Sequence, residues 1–328
     1  MQNRYLTIFL NPILAAKIFL KAIKSFHNPI NFVFKYFIIN KSEMTILLRN
    51  NKNFNISEKD RLFINWFLKT NYRIDITEDG EILLCYKEMK LLIRLGKADF
   101  FIFHEIFEND TYKLSELNLG CNGNIIDIGA NVGYFTCAML KKSMKVISIE
   151  PVKDNFKQAL KNISLNNGNS ANIINCAVTS GKTGKKIKIY VDKTDRGRSS
   201  VSDVAIKELE NVEIVDTISL HKIFEDYNLI SVDLVKCDVE GAEYDIFLNT
   251  PVQIIKKIKK IVMEIHVNEK WQVSNLENLI EYFSNAGFNV KCDIGKELAS
   301  KSMRFVSILE ASQVKCVNRE LNPCCLRV

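Results

Sequence analysis

The sequence predicts an α/β protein built on a mostly parallel sheet with helices on both faces. Three observations carry that expectation. Apolar runs recur at 125–128, 146–149, 173–178, 234–237 and 261–265. Helix-like stretches such as "DNFKQALKNISLNN" separate the early runs, and alternating units of this kind form parallel sheets. A glycine-bearing loop, Gly129, Ala130, Asn131, Val132 and Gly133, leaves the first run and opens the next helical stretch. Ligands of such sheets bind at the carboxyl ends of the strands, so chemistry is sought there.

The chain has 328 residues, enough to bury a sizeable core in one large domain with an appendage. With 47% hydrophobic and 25% charged residues it reads as an ordinary globular protein. Its formal charge of +7 is local in origin. Arg4, Lys17, Lys21, Lys24, Lys35, Lys41 and Arg49 face a single acid, Glu43, within the first fifty residues. The charge therefore concerns a partner of the N-terminus and says little about the rest. Nine cysteines, an odd number without metal-ligand spacing, read as reduced small hydrophobes of a cytoplasmic protein. Cys324 and Cys325 have no evident role.

Three regions are expected: a helical and hairpin cap over 1–111, a catalytic-type α/β domain over 112–312, and a tail over 313–328. In the cap, "NPILAAKIFLKAI" and "NPINFVFKYFII" each begin with a good N-cap followed by proline in the first turn. Lys17, Lys21 and Lys24 share one predicted face of the first helix, opposite Phe19, Leu20, Ile23 and Phe26. The stretch is too short to span a bilayer, which takes roughly 20 apolar residues. It reads either as a helical cap packed on the domain or a second subunit, or as a basic amphipathic element touching an anionic membrane through residues 11–40. "SEKD" at Ser57 resembles a capping box opening a third helix. The alternation around Asp79 and Gly80 then predicts a hairpin or short meander.

The glycine loop narrows the ligand. A dinucleotide fingerprint needs G-x-G-x-x-G, and the middle glycine is missing here. Asp127, two residues before the loop, would repel a pyrophosphate but suits a positively charged ligand group such as the amino group of a methionine moiety. No Gly-Lys-Ser/Thr follows, which excludes a phosphate loop of the NTPase type. Glu150 ends the second strand, where an acid can accept hydrogen bonds from both ribose hydroxyls. Asp127, Gly129, Asn131, Gly133 and Glu150 together indicate S-adenosylmethionine better than NAD.

At this point the chain resembles the FkbM-type S-adenosylmethionine-dependent methyltransferases. The resemblance rests, in order, on "NIIDIGANVGYFT", "VISIEPVKDNFKQALKNISLNN", "CAVTSGKTGKKIKIYV", "GRSSVS" and "LVKCDVEGAEYDIF". It covers roughly 103–311, and its most specific element is "DVEGAE" at 238–243 with Lys236 two positions upstream. It implies a Rossmann-like class I fold with a seven-stranded sheet. It also implies O-methylation of a hydroxyl on a sugar, glycan or polyketide-like acceptor.

A hydroxyl is a poor nucleophile at neutral pH, so a base is expected beside it. Asp238 and Glu240 follow the fourth strand, Gly241 permits a tight turn, and Glu243 opens the next helix in a structural role. "IVMEIH" puts Glu264 and His266 on one face of the fifth strand by period two. Asp238, His266 and Glu240 are the catalytic candidates. Asp238, Glu264 and His266 could hold a divalent metal, though nothing in the spacing requires one. Arg196, Arg198, Ser199 and Ser200 lie in a polar loop able to close over the site. "AGFNV" and "SMRFVSILEAS" fit antiparallel closing strands.

An N- or C-methyltransferase, or one acting on nucleic acid, is the closest enzymatic rival, and a glycosyltransferase is disfavoured because the sequence has no Asp-x-Asp metal pair. Nucleic acid is disfavoured as a partner because the basic excess sits in apolar N-terminal helices and no Asn-Pro-Pro-aromatic signature is present. The other rival is a non-catalytic nucleoside-binding module working in a membrane- or protein-associated complex.

Overall fold

The computed structural model describes residues 11–38, 43–117, 119, 122–180, 183–191, 199–200, 211–267, 273–294 and 305–313. The N-terminal region begins with helices α1 (Pro12–Ser25) and α2 (Pro29–Val33). Each starts as its sequence demands: Asn11 Oδ1 accepts the N–H of Leu14 at 3.0 Å, and Asn28 Oδ1 that of Asn31 at 3.1 Å. Strands β1 (Met44–Leu47) and β2 (Asn53–Ile56) pair antiparallel, ahead of helix α3 (Arg61–Lys69). Ser57 donates its backbone N–H to Asp60 Oδ2 at 2.8 Å, one arm of the expected capping box. The predicted meander is β3 (Arg73–Ile76), β4 (Ile82–Tyr86) and β5 (Met89–Ile93), and Gly80 takes φ +80° in its first turn.

The main sheet contains β6 (Asn124–Ile128), β7 (Lys145–Ile149), β8 (Ala171–Ile174), β13 (Leu234–Cys237), β14 (Lys260–Val267), β15 (Phe288–Ile294) and β16 (Phe305–Gln313). Its order is β15-β16-β14-β13-β6-β7-β8, and β16 runs antiparallel to both neighbours. The central strands β6, β7 and β13 are almost wholly buried, which explains why they read as continuous apolar runs. Helices α4 (Asp99–Phe103), α5 (Tyr134–Lys141), α6 (Lys153–Leu165), α7 (Leu220–Asp226), α8 (Glu243–Leu248), α9 (Val252–Ile255) and α10 (Val273–Asn285) are the remaining α-helices among the described residues.

The expected third strand over 173–178 is not one strand. Its first half ends β8, while Ala177 and Val178 form β9 in a second sheet. Asn175 causes the break: its side-chain amide donates to the carbonyls of Glu150 and Pro151 at 2.9 and 2.8 Å. The second sheet joins β9 to β10 (Lys186–Val191), β11 (Ser199–Ser200) and β12 (Asn211–Ile218) in the order β11-β10-β12-β9.

The N-terminal region shares a core with the α/β domain. One buried apolar cluster extends from Ile18 through Phe63, Phe103 and Tyr134 to Val262. Strand β5 would expose an unpaired edge, but side chains of α6 and its cap cover it. Asn162 accepts the Leu92 N–H at 2.7 Å, and Asn166 both accepts from and donates to the Lys90 backbone at 3.0 and 2.7 Å. Tyr134 adds a bond from its hydroxyl to the Leu92 carbonyl at 2.6 Å.

Helix α1 also departs from the expected facing. Ile18 and Ala22 are buried, and Lys21 turns inward to donate to the Tyr72 carbonyl at 2.6 Å and sit 4.4 Å from the Phe67 ring. Leu20 points outward instead. The aromatic surface of α3 selects this face, a tertiary choice that the helical period alone does not dictate. Arg196 and Arg198 of the predicted closing loop, and Cys324 and Cys325, lie outside the described residues.

Candidate active site

The glycine loop is shaped by what lies against it. Gly129 has φ +76°, and a Cβ there would fall 1.8 Å from the Asp238 carbonyl oxygen, so only glycine fits. Its N–H and that of Ala130 both donate to the Ile149 carbonyl at 3.0 Å. Asn131 takes the left-handed conformation, φ +48°, and aims its N–H at Glu150 Oε2, 2.8 Å away. Val152 donates to the other carboxylate oxygen at 2.9 Å. Burial pushes the Glu150 carboxyl up to about 7, although both backbone bonds and Lys236 pull it down.

An open cleft lies at these strand ends. Gly129, Asn131, Glu150, Asp238 and Glu240 contribute to its wall, and Ile149, Ala177, Val178 and Ile189 give it an apolar side. Gly133 is not on that wall. It opens α5 at φ +79° and allows close approach to Ala159, 3.1 Å from where its Cβ would stand.

Asp127 is placed differently from the sequence expectation. It is fully buried beneath the loop and does not line the cleft. Its Oδ2 accepts from Thr136 Oγ1 at 2.7 Å, and its Oδ1 lies 3.4 Å from Lys236 Nζ. The carboxylate is therefore committed to an internal ion pair instead of a ligand amino group.

Beyond β13 the backbone turns sharply. Glu240 sits at φ +53° and Gly241 at φ +108°, the former a conformation costing a non-glycine residue about 1 kcal/mol or more. The turn lets Glu243 fold back under it. Fully buried, Glu243 accepts the Gly241 N–H at 3.1 Å and meets His266 Nδ1 at 2.8 Å. The other imidazole nitrogen lies 3.3 Å from Glu240 Oε2. Burial alone would lower the His266 pKa, but Glu243, Glu240 and Asp238 outweigh it and hold it up at about 10. His266 is thus an imidazolium at neutral pH, donating toward two carboxylates.

Asp238 stands between this group and the cleft. The Tyr112 hydroxyl donates to its Oδ2 at 3.1 Å, and Lys236 Nζ lies 4.0 Å away. Glu264 is pushed up to about 9, first by burial and then by the charges of Asp238 and Glu105. Asp238, Glu264 and His266 each offer one ligand atom, all within 4.8 Å of one another. Lys236 Nζ, 4.0 Å from Asp238, and the His266 imidazole lie among the same carboxylates. Tyr112 and Glu105 carry no local sequence signal. Only the tertiary fold brings them here, Tyr112 from 126 residues before Asp238.

The strand order, with one antiparallel strand inserted beside the edge, is that of a Rossmann-like methyltransferase sheet. Residues 127–290, half of the chain, match the methyltransferase FkbM domain. The protein belongs to the FkbM methyltransferase family. It is 25% identical over 229 residues to methyltransferase sdnD of Sordaria araneosa, covering 59% of this chain and 83% of that one. It is 26% identical over 198 residues to methyltransferase 1 of Beauveria bassiana, covering 55% and 78%. A solved precorrin-6y C5,15-methyltransferase from Geobacter metallireducens covers 63% of this chain and 88% of its own, at 13% identity and a TM-score of 0.38. At that level of likeness the fold assignment rests on the strand order itself.

Proposed function

We propose that the chain transfers the methyl group of S-adenosylmethionine to a hydroxyl of a sugar, glycan or polyketide-like acceptor. The observation that carries this reading is the pair of carboxylates, Glu150 and Asp238, at the ends of β7 and β13, the two strands that flank β6, on one cleft wall. Each Glu150 oxygen is fixed by one backbone N–H and keeps a lone pair, which suits two ribose hydroxyls. Ile149, Ala177, Val178 and Ile189 suit the flat base, and Gly129 and Asn131 lie alongside. The donor set fits the cofactor, with the exception that Asp127 is not available to its amino group.

When bound, S-adenosylmethionine supplies an electrophilic methyl group on a sulfonium. The protein then has two tasks, alignment and proton removal. Asp238 receives the acceptor's hydroxyl proton as that oxygen becomes methylated. Tyr112 holds one of its oxygens, leaving the other for the acceptor. His266, already protonated, is not the base. It positions Glu240 from one nitrogen and is itself anchored by Glu243 at the other.

The test is label transfer from methyl-labelled cofactor into a panel of hydroxylated saccharides and polyketides, with wild type and Asp238→Asn. Transfer should appear as O-methyl ethers, and the variant should lose about 10²–10⁴-fold in rate while still binding cofactor. Label on nitrogen or carbon would reject the hydroxyl acceptor, and an unimpaired variant would reject Asp238 as base.

A further inference from the structure

We infer that α1 and α2 form a docking surface for an anionic lipid membrane. Helix α1 buries Ile18 and Ala22 against the body of the protein. Opposite them runs a single exposed stripe, Ile13, Lys17, Leu20 and Lys24, spaced four, three and four residues apart. Ile13 and Leu20 are 70% and 55% exposed, and Ile30 at the start of α2 is 69% exposed. Phe19, 40% exposed, flanks the stripe. Ile214 and Ile230 are as open elsewhere, but on this helix pair Ile13, Phe19, Leu20 and Ile30 stand exposed within one short stretch of chain.

The charges choose the occupant. No Asp or Glu occurs among residues 11–38, while Lys17, Lys24 and Lys35 are exposed. Alternating apolar and lysine positions match an interfacial helix, whose apolar residues enter the acyl boundary while lysine stems reach up to headgroup phosphates. A second copy packed symmetrically on this face would set Lys17 and Lys24 against their own counterparts, which charge repulsion opposes. No helix of the described residues is long and apolar enough to cross a membrane, so the contact is a surface one. The inference stands independently of the cofactor and acceptor assignments.

The experiment is flotation of the full-length protein with vesicles of phosphatidylcholine alone or with added phosphatidylserine, at low and high salt. Binding should require the anionic lipid and weaken with salt. Ile13→Glu with Leu20→Glu should reduce the bound fraction at least about tenfold. Both side chains are exposed, so the variant should keep the wild-type thermal melting curve. Equal flotation of variant and wild type, or none of the wild type on anionic vesicles, would overturn the inference. So would a concentration-dependent dimer in sedimentation that the same variant abolishes, since the face would then belong to a second copy.

Discussion

Lys236 Nζ lies 2.7 Å from the carbonyl oxygen of Gly129, tying the end of β13 to the first turn of the glycine loop. The same ammonium is 3.4 Å from Asp127 Oδ1, so one buried cation fixes both the loop and the acid below it. Lys236→Met should leave Asp127 buried without its counter-charge and cost about 3–5 kcal/mol. Urea denaturation measures this directly. In a double-mutant cycle, adding Asp127→Asn should restore part of the loss, because it removes the orphaned charge.

Glu150 predicts a pH dependence of cofactor binding. Its carboxyl is held up at about 7, and only the ionised form accepts from both ribose hydroxyls. Affinity for S-adenosylmethionine should therefore rise with pH through that value. Binding at pH 6 should be about tenfold weaker than at pH 8. A Glu150→Gln variant should bind weakly at both.

His266 predicts the opposite trend for stability. Its pKa in the folded chain, about 10, exceeds the ordinary 6.5, so the folded state retains a proton the unfolded chain has lost. The resulting stabilisation is complete below about 6.5 and disappears as pH rises toward 10. Glu264, raised from 4.5 to about 9, acts with the same sign over its own range. Denaturation midpoints should fall between pH 7 and 9.5, with a smaller fall in His266→Gln.

Chelation should leave turnover intact. The carboxylates around Asp238 already have Lys236 and the His266 imidazolium among them. Dialysis against EDTA followed by the label-transfer assay checks this. A loss of rate restored by Mg²⁺ or Mn²⁺ would assign Asp238, Glu264 and His266 to a metal instead.

What the sequence makes legible is local. The strand entering Gly129, the acid ending β7, the tight turn at Gly241 and both Asn-Pro helix starts each depend on neighbours within a few residues. Asp127 lies below the loop beside Lys236, which comes from a strand far along the chain, and the ion pair exists only once β6 and β13 are adjacent. Tyr112 was invisible for the same reason. The 173–178 run looked continuous because apolar residues fill both β8 and β9, and the break comes from Asn175 bonding to the Glu150 and Pro151 carbonyls. On α1 the period was right and the phase was wrong. Packing on α3 decides which stripe is covered, and it takes Lys21 inward by its stem.

The most direct test is calorimetric titration of S-adenosylmethionine into the wild-type chain and into Glu150→Ala. Micromolar-range binding, about −8 kcal/mol, clearly weakened in the variant, is the expected result. No heat from S-adenosylmethionine, or equal binding by wild type and variant, would contradict the assignment of the cleft at Glu150.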